Sequence, residues 1–162
     1  ALERELGTSV VLDLLFGRSS EFYTRHYEKG LIDDSFSFSY NSEDAFGFSL
    51  IGGETDRPEE LAEQVLLQLH EAKKGKLKSA DLERSKRKRL GKFIRSFDTP
   101  DGAAFLVMGC AQRGIDLFSV PQVISKMSAG GLERRLKGHF DERNYAVSIL
   151  NPKPGAPVPE EE

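Results

Sequence analysis

The sequence predicts a two-layer α+β domain in which helices pack on one face of a mainly antiparallel sheet. Three observations carry that prediction. Apolar residues recur at helical spacing over most of the chain, they switch to a period of two between residues 36 and 50, and the period-two face is aromatic and so needs a cover.

Composition sets the outer bounds. A chain of 162 residues, 38% hydrophobic and 30% charged, suits one domain with a real core. A formal net charge of -3 argues against a general polyanion binder. The lone Cys110 rules out an intrachain disulfide framework and favours a reducing compartment, so a cytoplasmic location is expected. No apolar run approaches the roughly 18 residues of a membrane span, and no membrane partner is expected.

Leu2, Leu6, Val10 and Leu14 stand four apart with Val11 and Leu15 beside them, predicting a helix over 1–16 with one apolar face and a stop at Gly17. No capping residue precedes it. The chain is therefore expected to be an excised fragment, with an unpaired strand edge and an apolar patch that invite self-association. Ser20 caps a helix over 21–29 that ends at Gly30. Phe36, Phe38 and Tyr40 alternate with serines, and after Asn41-Ser42-Glu43-Asp44 come Phe46, Phe48 and Leu50, which predicts a hairpin. Phe36, Phe38, Phe46 and Phe48 are expected beneath the helices that contain Leu66 and Phe105.

Asp56 and Glu59 read as a capping box, with Pro58 in the first turn of a helix over about 57–74. Leu61, Val65, Leu66 and Leu69 form its inner face. Ser79 starts a helix to about 97, whose end carries Leu90, Phe93, Ile94 and Phe97. Thr99-Pro100 opens a helix containing Phe105, Leu106, Met108 and Cys110 and closed by Gly114. Shorter helices follow over about 120–126 and 129–140, the second capped by Ser128, and Tyr145, Val147 and Ile149 alternate as a final strand. The domain is expected to fill residues 1–150. The tail 151–162, with four prolines and three terminal glutamates, is expected to be disordered.

Motifs that would carry chemistry fall short. His70-Glu71-Ala72-Lys73-Lys74 has Lys74 where a helical zinc motif needs its second histidine, and His139-Phe140-Asp141-Glu142-Arg143 fails the inverted motif at Arg143. Both histidines read as surface residues near helix ends. His26 and Cys110 are isolated in sequence, so neither a metal ligand nor a catalytic residue is assigned. Gly47-Phe48-Ser49-Leu50-Ile51 lacks the second glycine of a nucleophile elbow and sits inside a strand. Asp33-Asp34 reads as a turn cap.

One charge signal stands out. Residues 73–95 hold eleven Lys or Arg and two acids, a net +9 against -12 for the remainder. Lys86, Arg87, Lys88 and Arg89 are the densest part. Four consecutive helical residues point around the whole cylinder, and no aromatic precedes Phe93 to stack a base, which argues against nucleic acid. An acidic surface of the same molecule, an acidic partner, or plain solvation are the remaining readings.

The runs LDLLFGRSSEFYTRHYEKGLIDDSFSFSY, FGFSLIGGETDRPEEL and LERSKRKRLGKFIRSFDTP, in this order and spacing, resemble the C-terminal domain of the pitrilysin/insulinase family of zinc metallopeptidases, in its bacterial insulinase-like branch. The likeness spans about residues 1–150. It implies the mitochondrial-processing-peptidase-like metallohydrolase fold with its first strand missing. It implies zinc not here but in a companion N-terminal domain of the parent protein, with this domain the so-called inactive one. The implied role is to close a substrate chamber over a bound peptide and to support subunit association, with a sister peptidase-like subunit or a second copy as partner.

In many relatives this domain lends an Arg and, seven residues later, a Tyr that hold the scissile carbonyl. Aligned on Gly30-Leu31, those positions are His26 and Asp33, and Arg25 and Tyr27 lie out of phase. The substrate-facing residues implied are therefore His26, Tyr27 and Asp33, without the family's donors, which would have to come from the sister subunit. The competing reading is a stand-alone binding module that uses helix 79–97 on nucleic acid or an acidic protein.

Overall fold

The computed structural model describes residues 2–43, 46–141 and 143–152. In chain order these form α1 (Leu2–Phe16), α2 (Glu21–Glu28), β1 (Ser37–Ser42), β2 (Gly47–Gly52), α3 (Pro58–Lys74), α4 (Ser79–Arg95), α5 (Pro100–Gln112), α6 (Ser119–Lys126) and α7 (Ala129–His139). Asp44 of the expected turn, Glu142 and the tail from 153 onward lie outside the described residues.

The first helix is more deeply buried than one apolar face allows. Val10, Val11 and Leu12 are wholly inside, joined by Leu15 and Phe16. Successive helical residues point about 100° apart, so three in a row can be buried only if neighbours stand on several sides. They do: α1 packs against β1, α2, α3, α4, α6 and α7. At its C-terminal end Phe16 meets the Phe22 ring edge-on at 5.0 Å, and Phe36 lies 5.8 Å from Phe22 and 6.2 Å from Tyr23. This aromatic knot joins α1, α2 and the entry to the hairpin.

Local chemistry sets most helix ends. Ser20, Thr99 and Ser128 each accept a hydrogen bond from the backbone N–H three residues on, as their positions predict. Gly30 takes the left-handed conformation at φ 61°. The Asp56 capping box does not form. Pro58 occupies the first helical position, which makes Arg57 the N-cap; no side chain caps it, and Arg57 instead bonds Glu60 and the Lys29 carbonyl.

The hairpin exists but its aromatic faces are split. Antiparallel pairing sets Phe38 opposite Ile51, Tyr40 opposite Ser49, and Asn41 opposite Phe48. Opposed residues share a face, so Phe38, Tyr40, Ser49 and Ile51 turn toward α1, while Phe48 and Leu50 share the outer face with Asn41 and Ser39. Phe46 and Phe48 are accordingly 58% and 45% exposed, contrary to the expected common core, whereas Phe36 is buried. The cover is α1, with His139 of α7 against Tyr40, and not the helices of Leu66 and Phe105. Gly53 follows β2 where any Cβ would lie 2.7 Å from the Phe36 Cα, so a side chain there would push the hairpin off its support.

Two further expectations are corrected. Residues 145–149 form no strand: among the described residues the sheet has two strands, and Tyr145 and Val147 lie half-exposed with no ladder to join. On α5 only Cys110 is buried and Phe105 is 70% exposed, because the helix has little of the fold against it.

Phe36→Ala should destabilise the domain by about 3–5 kcal/mol, the usual cost of deleting a buried Phe. Phe48→Ala should change stability by less than about 0.5 kcal/mol. Urea unfolding followed by circular dichroism checks both, and equal losses would mean the hairpin register is wrong.

Candidate functional site

The residues aligned with the family's substrate-holding pair do not form an open site. His26 is 4% exposed on α2, its ring 4.4 Å from that of Phe22, and its Nδ1 is buried without a hydrogen-bond partner. Its carbonyl closes the α2 terminus by accepting from Leu31 N at 2.9 Å. Burial, with Lys29 and Arg25 nearby, lowers its pKa, so the ring is neutral at pH 7. Asp33 is exposed, but its Oδ1 accepts from both the backbone N–H and the hydroxyl of Ser35, and those bonds lower its pKa. That is a turn cap, as the adjacent carboxylates suggest. Tyr27 is exposed and stacks on Tyr23 at 5.6 Å. The three share the α2 end of the molecule, and only Tyr27 presents an uncommitted polar tip.

The dense basic run on α4 is partly spent inside the fold. Asp13 of α1 is the anchor: Lys88 Nζ donates to its Oδ1 at 2.6 Å and Ser85 Oγ to its Oδ2 at 2.8 Å. Arg89 lies half-buried beside the same carboxylate, its Nε buried without a hydrogen-bond partner among the described residues, and desolvation lowers its pKa. Lys86 bonds Glu83 and the Ser125 carbonyl of α6. Arg87 alone of the four reaches no other element, bonding only the Glu83 carbonyl of its own helix.

A polar cluster invisible in the sequence joins residues up to 127 positions apart. Ser49 Oγ and His139 Nε2 are 2.8 Å apart, Arg135 lies 3.4 Å from His139 Nδ1 and 3.3 Å from the Tyr40 hydroxyl, and Arg135 Nε donates to Thr8 Oγ1 at 2.6 Å. The expected surface position of His139 is thus corrected: it is part-buried, because the ring seals the gap between hairpin and α7. A serine beside a histidine invites comparison with a hydrolytic pair. The guanidinium beside Nδ1 argues against it. A guanidinium can only donate, so Nδ1 accepts and the neutral ring carries its proton on Nε2, donating to Ser49. A nitrogen already protonated cannot take the hydroxyl proton.

Metal ligation has no foothold either. Among the described residues no three His, Cys, Asp or Glu side chains converge. His26, His70, Cys110 and His139 sit on four different helices, with His26 and Cys110 in the interior. These residues do not fit the zinc centre of the family.

Comparison with known proteins places this geometry. The family model of the peptidase M16 inactive domain matches residues 1–89. The chain is 33% identical over 94% of its length to YmfH of Bacillus subtilis (strain 168), described as an uncharacterized zinc protease, and covers 35% of it. The crystal structure of an M16-like peptidase from Alicyclobacillus acidocaldarius superimposes on 88% of the chain with a TM-score of 0.81 and 27% identity. A protease from Helicobacter pylori, at 19% identity, shares the fold at a TM-score of 0.69 over 86% of the chain. The chain spans about a third of the length of each of these relatives.

Burial, then Arg135 and Arg4, lowers the His139 pKa to about 4. A histidine that titrates lower folded than unfolded lends its full stabilisation above about pH 6.5 and loses it as pH falls toward 4, because the unfolded chain takes up the proton first. The domain should lose about 1–2 kcal/mol over that window, after allowance for partial exposure. His139→Gln should flatten the dependence in thermal melts at pH 7 and pH 4.5, and an unchanged slope would contradict the buried position.

Proposed function

Because this chain belongs to the peptidase M16 inactive-domain family, we propose that it is the non-catalytic companion domain of a zinc metalloendopeptidase, closing the substrate chamber and supporting peptide binding and subunit association. The observation that carries this reading is its uncovered apolar surface. Phe46, Phe48 and Leu50 line the outer hairpin face, and Ile94, Phe105 and Phe118 stand exposed on α4, α5 and the entry to α6. A lone soluble domain rarely leaves so many large apolar side chains in water, whereas a domain seated against the rest of a longer chain must present them. Zinc belongs, on this reading, to the parent's N-terminal domain.

The residues at the family's substrate-holding positions support a division of labour. His26 keeps one ring N–H but is buried in the core, and the anionic Asp33 has no proton to donate, so neither serves a developing oxyanion. The missing donors are supplied in trans by a sister subunit, and this domain is the structural half. The stand-alone module reading is weakened by Asp13, which already engages Lys88 and neighbours Arg89.

Two measurements on the full-length parent test the proposal. Phe48→Asp should lower its peptidase activity by about tenfold or more, as expected of a buried aromatic anchor, while leaving the melting temperature of this chain unchanged. Activity should rise by about 10²–10³ when the sister subunit is added, the usual worth of oxyanion donors. A parent fully active alone and indifferent to Phe48→Asp would overturn the reading.

A further inference from the structure

Where the first turns of α1 and α7 meet the end of α6, the surface forms a groove of about 490 Å3, in the range of small-ligand sites. Four cations line it, Arg4 from α1, Lys126 from α6, and Arg134 and Arg135 from α7, against one carboxylate, Glu3. Several cations outside the groove are matched by an acid: Lys88 with Asp13, Lys78 with Glu21, Arg113 with Glu5, Arg18 with Asp34. In the groove they are not. Among the described residues Arg4, Lys126 and Arg134 make no side-chain hydrogen bond or ion pair, and Arg135 reaches only the neutral Thr8, Tyr40 and His139.

This arrangement is electrostatically costly as it stands. Arg134 folds back over the first turn of its own helix: a Cβ added to Gly130 would lie 3.7 Å from Arg134 Nη1. A cation at a helix N-terminus opposes the macrodipole. Arg4 stands close enough to Arg135 for the two like charges to repel. An anion in the groove would relieve both. Arginine forks match carboxylates in bidentate geometry, and no aromatic side chain lines the groove to stack a base, which removes the platform a nucleotide needs. The buried Met127 and Leu132 at its floor offer apolar contact to the methylenes of an acidic side chain.

We propose that this groove binds an acidic peptide segment, with Arg4, Lys126 and Arg134 as the carboxylate-holding residues and Arg135 as their fixed support. The site is separate from the α2 end discussed above, and it stands whether or not the domain closes a chamber.

Fluorescence anisotropy of this chain with end-blocked, dye-labelled hexaglutamate tests it, with hexaglutamine carrying the same label as control. Binding of hexaglutamate alone is expected, weakening at least tenfold in the Lys126→Gln/Arg134→Gln double variant. Among the described residues neither side chain has a protein partner, so the variant should keep the melting curve of the unmodified chain. Equal binding by the variant, or binding of hexaglutamine, would overturn the site. A single-stranded oligonucleotide of equal charge binding as tightly would overturn the peptide assignment.

Discussion

Three consecutive residues on α1, Val10, Val11 and Leu12, are withdrawn from water completely, and a helix can bury three in a row only at the centre of a fold. The other elements are arranged by that requirement. The hairpin lies along one side of α1, α7 along another, α4 and α6 on a third, and α2 folds over its end through the ring contacts of Phe16, Phe22 and Phe36. The exposed apolar side chains of α5 and of the outer face of β2 are the complement: they point away from α1.

A central helix must still place its polar groups, and it does so by tethering its neighbours. Asp13 engages Ser85 and Lys88 of α4, and Thr8 receives Arg135 of α7. Each bond sits at the margin of the apolar core, where losing one partner would strand a desolvated polar group. The basic run on α4 acquires its meaning here. Its charge is partly the counterweight to an acid on α1, which is why so dense a cluster occurs in a chain with no net positive charge.

The same economy of position commits the histidines to the fold. His26 is held neutral in the core, the Arg135 guanidinium beside Nδ1 of His139 favours a ring proton on the nitrogen facing Ser49, and the remaining candidate ligands are dispersed over separate helices. Among the described residues the surface retains broad apolar area and a groove with unmatched positive charge.

Much of this was legible in the residues. Ser20, Thr99 and Ser128 announced helix starts, Gly30 and Gly114 announced stops at φ 61° and 62°, and the period-two aromatic run announced the hairpin, because caps, left-handed glycines and strand alternation act within a few residues. The family likeness was legible too, since it resides in ordered runs of sequence. The tertiary structure alone decided which face of β2 is wet. Phe46 and Phe48 look identical to Phe36 and Phe38 in pattern, and only the pairing of Asn41 with Phe48 sends them outward. It likewise decided that, among the described residues, 145–149 have no ladder to join, that Ser49 meets His139, and that Arg4 stands near Arg135 without a counter-ion. Those outcomes depend on contacts between residues about 90 to 130 positions apart, or on the absence of a neighbour, and no local periodicity encodes either.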